Sequence, residues 1–180
     1  KKLWIVFGIL LLSIGCKKDG NNSGDDDTPV DLKTRTLVSN LSLPWELVYG
    51  TDNLIWFTEK SGKISRLNPA NSQVTLLHTI SEVSAQGEGG LLGMTLHPNF
   101  GASPYVYVFY GYGNPYKNKL VRFTYSNNSL TSPQTLLDNI PAASIHNGCR
   151  LLIAGDKLFV TTGDANDTST PQNPNSVAGK

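Results

Sequence analysis

Two stretches of the chain concentrate side chains able to do chemistry. The first, Gln86-Gly87-Glu88-Gly89-Gly90-Leu91-Leu92-Gly93, sets one carboxylate in a run of glycines. The second, Ile145-His146-Asn147-Gly148-Cys149-Arg150, sets one imidazole just after a Pro141-Ala142-Ala143-Ser144 loop. A neutral imidazole is the natural group for taking a proton from a hydroxyl near neutral pH. Glycines on both sides of Glu88 let the backbone approach a flat ligand closely and put the carboxylate at the mouth of a strand. Taken alone, each residue also has a plainer reading. A loop histidine can simply hydrogen-bond its own turn, and a carboxylate among glycines can simply cap neighbouring backbone amides.

The other chemistry-bearing residues read as structural. His97, before Pro98, is expected in a turn, His78 in a strand, and Cys149 as a small buried residue with no base beside it. Asp164, next to Gly163, reads as a turn residue. Three motifs fail on inspection. Gly87-Glu88-Gly89 opens like a dinucleotide fingerprint, but Leu92 stands where the third glycine should fall. Gly179-Lys180 has Pro174 where a phosphate-binding loop needs its first glycine. Asp164-Ala165-Asn166-Asp167 starts like a calcium loop, yet Thr168, Ser169 and Asn175 occupy positions that the loop reserves for ligands and a glycine.

The elements that must position these groups are short, β-branched and aromatic-rich runs of period two. Leu54–Thr58, Tyr105–Phe109 and Leu158–Thr162 begin 51 and then 53 residues apart, each after a turn signal. Further strands are expected at 45–49, 63–67, 74–79, 91–96, 119–125 and 150–154. A repeat of about 50 residues holding roughly four short antiparallel strands is the period of a β-propeller blade. A sandwich would give similar strand spacing without the longer recurrence. After the leader there is chain for about three blades, and propellers close with typically 4–8.

The first thirty residues read as an address. Lys1 and Lys2, the apolar run Leu3–Leu12 and then Ser13-Ile14-Gly15-Cys16 describe a secretory signal that resembles a bacterial lipobox, with Cys16 the residue to be acylated. Residues 17–30, with Asn21-Asn22-Ser23-Gly24-Asp25-Asp26-Asp27, read as a polar tether. The folded part is expected to span 31–180. A lipid anchor places it in the bacterial cell envelope, outside the cytoplasm. The chain starts without Met and stops at Ala178-Gly179-Lys180, so it is expected to be the N-terminal part of a longer protein.

Composition narrows the classes. In 180 residues, 15 Lys and Arg face 14 Asp and Glu, and no basic cluster appears, so nucleic acid is not an expected partner. With 16% charged residues and no sustained heptads, coiled coils and helical bundles are disfavoured, while 39% hydrophobic content supports a packed core. Two cysteines provide neither a disulfide framework nor a thiolate zinc site.

The glycine run continuing through Met94-Thr95-Leu96-His97-Pro98-Asn99-Phe100, the histidine segment, Thr161-Thr162-Gly163-Asp164 and the closing 172–180 stretch, in that order and spacing, resemble the soluble quinoprotein sugar dehydrogenases, the glucose/sorbosone dehydrogenase family. The resemblance runs from about Leu41 to Lys180 and takes in Leu43-Pro44-Trp45 and Glu59-Lys60-Ser61-Gly62-Lys63-Ile64. It implies an all-β, six-bladed β-propeller of which about the first half is present. It also implies an enzyme that oxidises aldose-type sugars at the C1 hydroxyl by hydride transfer to pyrroloquinoline quinone. In that scheme His146 is the catalytic base, Glu88 lies against the cofactor, and Ca2+ acts as a Lewis acid with ligands expected beyond residue 180. The partners implied are a sugar and an external electron acceptor, with membrane contact through the lipid anchor only. Ile145 stands where relatives often carry Asp, and Cys149 where glycine is common. The alternative is a non-catalytic cell-surface propeller that binds a protein or glycan.

Overall fold

The structure is a computed structural model that describes residues 33–180. The expected signal (1–16, with Cys16) and tether (17–30) lie outside the described residues. Thr36–Lys180 form one compact unit. Among the described residues there are ten strands and no helix.

The first sheet is a four-stranded antiparallel meander of β1 (Pro44–Tyr49), β2 (Ile55–Glu59), β3 (Lys63–Asn68) and β4 (Gln73–Thr79). The second repeats it with β5 (Leu91–Leu96), β6 (Tyr105–Tyr112), β7 (Lys117–Ser126) and β8 (Ser129–Pro141). The third pairs β9 (Gly148–Ala154) with β10 (Lys157–Thr162). The three runs that recur at about 50 residues become β2, β6 and β10, the second strand of each sheet, so the sequence period is the blade period. Hairpins close where short polar residues take a left-handed backbone. Asn127 (φ 48°) and Asn128 (φ 59°), between β7 and β8, make the paired left-handed turn that matches strand twist.

Blade two is buried on both faces, and this explains its sequence. Alternate side chains of a strand point to opposite sides of the sheet. Leu91, Met94, Val106, Val108, Tyr110, Val121 and Phe123 pack against Trp56, Ile64 and Leu77 of blade one. Their neighbours Leu92, Phe109, Leu120 and Ile140 pack against Cys149 and Leu151 of blade three. Strands covered on both sides lose the apolar–polar alternation and read as continuous runs. Each fully buried Leu- or Phe-sized side chain contributes about 1.5–3 kcal/mol. The third sheet is covered on one face only, with Leu152 (62% exposed) and Phe159 (53%) on its open face. In blade one, Phe57 and Leu67 are buried on the face away from blade two, while Leu47 (63%) on β1 stays exposed.

At the rim between blades one and two, the Arg66 guanidinium lies 5.2 Å from the Trp56 ring and 5.0 Å from that of Tyr125. It pairs with Asp52 at 3.0 Å and donates to Asn128. At the inner edge, β5 lies against both β1 and β9, so the first strands of the three sheets line up around a common axis. This is blade packing of the β-propeller kind, as the repeat predicted.

The strand expectations hold to within a few residues except at β8. That strand runs 13 residues but is almost wholly exposed, carries Pro133, and contains Ser132 and Asn139 at positive φ. Nothing in its apolar pattern marks it, because its outer edge has nothing to bury against. Pro141, read as loop, is its last residue.

Candidate functional site

Three connections meet at one place: the β4–β5 loop carrying Glu88, the β8–β9 loop carrying His146, and the stretch after β10 carrying Asp164. The Glu88 amide donates to the Ser144 carbonyl at 2.7 Å, and Glu88 Oε2 accepts the His146 amide at 2.9 Å. The two stretches singled out in the sequence therefore grip each other by two hydrogen bonds, one running each way. Gly87, at φ 51°, permits this because a Cβ there would land on the Ser144 carbonyl. Lys60, in the β2–β3 hairpin, fixes the same run from the other side: its Nζ donates to the Gly87 carbonyl, and its own carbonyl accepts the Leu91 amide at 2.9 Å.

His146 itself has φ 57°, an unusual backbone for a residue with a side chain. Such a conformation persists when its surroundings over-determine it. Here the amide is held by Glu88, and the carbonyl accepts the Ala165 amide at 3.1 Å. The peptide also rests on Gly163, where any Cβ would strike the His146 carbonyl. The ring points outward, 54% exposed, with Nδ1 2.9 Å from Asp164 Oδ1. A carboxylate is an acceptor only, so Nδ1 carries a proton, and in the neutral ring Nε2 then presents its lone pair. Nε2 makes no hydrogen bond among the described residues. Asp164 is 19% exposed, and the same Oδ1 accepts the Asn166 amide at 2.9 Å.

The sequence reading of Asp164 as a turn residue is therefore half the picture, since one oxygen both closes the turn and orients the imidazole. The two flank the β9–β10 hairpin, whose Gly148–Thr162 pairing sets them opposite each other. For Glu88 the structure supports the capping reading directly, and the amide that it caps is that of His146. Nothing in the sequence around Lys60 signals its bonds to the glycine run, which depend on how the β2–β3 hairpin lies against the β4–β5 loop.

The remaining candidates fall elsewhere. His97 Nδ1 accepts the Asn99 amide at 3.2 Å in the turn after β5. His78 sits in β4 against Phe123, and burial lowers its pKa. Cys149 is buried in the blade two–blade three core, where burial pushes its thiol up to about 12, aided by Glu46 and opposed by Arg150. A thiol so reluctant to ionise is no nucleophile. Asp167 bonds to Ser169 and is held below the usual carboxylate range by that side chain first. Among the described residues no group of three or more His, Cys, Asp or Glu side chains gathers to hold a metal.

The family model described as Glucose / Sorbosone dehydrogenase matches residues 41–180. Quinoprotein glucose dehydrogenase B of Acinetobacter calcoaceticus is 37% identical, over 72% of this chain and 30% of its own length. An aldose sugar dehydrogenase of Escherichia coli is 26% identical, over 84% of this chain and 43% of its own length. Among solved structures, the PQQ-bound form of an aldose sugar dehydrogenase from Streptomyces coelicolor superposes with a TM-score of 0.76 at 31% identity, covering 81% of this chain and 45% of that one. The apo form of the soluble Escherichia coli aldose sugar dehydrogenase gives 0.71 at 27%, over 78% of this chain and 43% of that one. The chain thus spans less than half the length of each of these relatives.

Proposed function

Because the chain belongs to the glucose/sorbosone dehydrogenase family, we propose that it supplies the base-bearing blades of a quinoprotein that oxidises aldose-type sugars at the C1 hydroxyl. One observation carries the reading: an outward-facing imidazole with Nδ1 held by Asp164 at 2.9 Å and Nε2 open.

The exposed Glu88 and His146 side chains are the groups that would meet one side of a planar quinone, and the His146 amide is held by Glu88. The glycines beside Glu88 serve packing within the chain, since a Cβ at Gly87, Gly89 or Gly90 would meet Ser144, Tyr116 or Lys60. Pyrroloquinoline quinone, when bound, supplies the two-electron acceptor for the C1–H bond. The chain supplies the proton chemistry. His146 Nε2 takes the proton of the C1 hydroxyl, and Asp164 holds Nδ1–H and offsets the charge of the imidazolium so formed. Glu88 fixes the His146 peptide, which sets the direction of the ring, and Lys60 keeps the glycine run against the β2–β3 hairpin. Ca2+ is proposed on the family resemblance alone, since the described residues bring no ligand set together. Anchoring in the cell envelope through an acylated Cys16 is proposed from the leader sequence, and loss of labelled-palmitate incorporation in Cys16→Ser tests it.

The test of the activity is full-length protein loaded with pyrroloquinoline quinone and Ca2+, given an aldose and an artificial electron acceptor. Dye reduction is expected, and His146→Ala is expected to abolish it without shifting the unfolding transition. A folded protein that never binds the quinone leaves the non-catalytic surface propeller as the reading.

A further inference from the structure

Beneath His146 lies a buried amide pair that the mechanism above does not use. Asn147 is 2% exposed and Asn118 is fully buried. Asn147 Nδ2 donates to the Ala143 carbonyl at 2.7 Å, and its Oδ1 accepts the Ala143 amide at 3.2 Å. These two bonds close residues 143–147 into a ring through one side chain. The same Oδ1 accepts from Asn118 Nδ2 at 3.2 Å. Asn118, the second residue of β7, is paired with Gly111 on β6 and Ile140 on β8, so the ring is bolted to the best-buried blade.

The Asn147 amide also reaches the Glu88 run. A Cβ on Gly89 would lie 3.2 Å from Asn147 Nδ2 and would run into the Tyr116 hydroxyl. One side chain thus abuts both segments that grip His146: the loop that contains it and the glycine next to Glu88. Burying amides costs free energy unless they are fully bonded, and Asn118 Oδ1 has no hydrogen-bond partner among the described residues. A leucine-sized side chain would fill the same space without that cost. What an apolar residue would not provide is direction, and the His146 backbone, at φ 57°, needs its loop held in one conformation.

We propose that Asn147, braced by Asn118, is a positioning residue that locks the 143–147 loop so that the His146 ring meets Asp164 through Nδ1 and presents Nε2. The catalytic meaning of this lock rests on the reading of His146 as the base. The lock itself does not, and the experiment separates the two. In full-length protein labelled at histidine, the ring 15N and 13C shifts at alkaline pH report the tautomer of each histidine, with His146, His78 and His97 each assigned by its Ala variant. Wild type is expected in the Nδ1–H form at His146. Asn147→Ala is expected to shift it to the mixture dominated by Nε2–H that free histidine shows, with His78 and His97 unchanged. In the loaded enzyme, kcat is expected to fall by roughly ten-fold or more while KM stays within about two-fold, because orientation is lost and sugar binding is not. If Asn147→Ala does not fold, Asn118→Ala, which removes the brace and leaves the ring bonds to Ala143, is expected to give the same tautomer shift in smaller measure. A folded variant with the wild-type His146 tautomer overturns the proposal, whether or not the protein turns over sugar. An absence of turnover in wild type, with the tautomer shift intact, overturns the enzyme reading and leaves the lock standing.

Discussion

Asp164→Asn isolates charge from geometry. One carboxylate oxygen, Oδ1, accepts both the His146 ring N–H and the Asn166 amide, each at 2.9 Å. An asparagine oxygen in the same place can accept both, so the turn and the ring orientation survive while the negative charge is lost. Hydrogen bonds to charged groups contribute about 1.5–3 kcal/mol. The imidazole is 54% exposed, so solvent screening favours the lower half of that range. At about 1.4 kcal/mol per tenfold, a loss of about 1.5–2 kcal/mol slows turnover roughly 10- to 30-fold. The loss should fall on kcat with KM little changed, because the charge matters most once the imidazolium has formed. The assay is steady-state dye reduction by the quinone- and calcium-loaded full-length enzyme over a range of aldose concentrations. Asp164→Ala, which also unties the ring and the turn, should fall further. A well-folded Asp164→Asn enzyme with kcat within about two-fold of wild type would refute the claim that the carboxylate supports the base.

Three more outcomes follow from the packing. Cys149, with its thiol pushed up to about 12, should resist thiol reagents at mildly alkaline pH in the native protein and react at once in denaturant, as read by mass shift. For Glu82, burial pushes the carboxyl up, but hydrogen bonds from Tyr110 at 2.6 Å and Lys119 at 2.9 Å outweigh it and hold the group below the ordinary glutamate range. A depressed folded-state value means stability that is present above the ordinary glutamate range and lost as pH falls through the depressed one. Glu82→Gln should therefore flatten that part of the fall in urea midpoint on acidification. Gly111→Ala should destabilise blade two by about 1–3 kcal/mol, because the new methyl would meet the Tyr116 hydroxyl and ring. Urea unfolding checks it, and a midpoint equal to wild type would show that the ring moves aside freely.

The blade repeat was legible because β2 and β6, buried on both faces, and the half-exposed β10 hold similar β-branched and aromatic runs at a fixed spacing. β8 was not, because an outer strand exposed along most of its length carries no such pattern. His146 and Glu88 stood out by residue type and by their glycine-rich settings. Their contact did not, since 58 positions separate them and only the stacking of sheets brings them within 2.9 Å. Asp164 differs. Its local job, the turn to Asn166, is visible in sequence, and its bond to His146 follows from the register of the β9–β10 hairpin that the two residues flank. Asn118 and Asn147 look like ordinary polar residues in sequence, and only full burial distinguishes them.

The imidazole draws its backbone restraint from a residue 58 positions earlier and its ring restraint from one 18 positions later. During synthesis the ring therefore has no fixed aim until the chain past Asp164 has emerged and the third sheet has settled on the second. A chain that stops short of Asp164 holds His146 without the partner that fixes its ring.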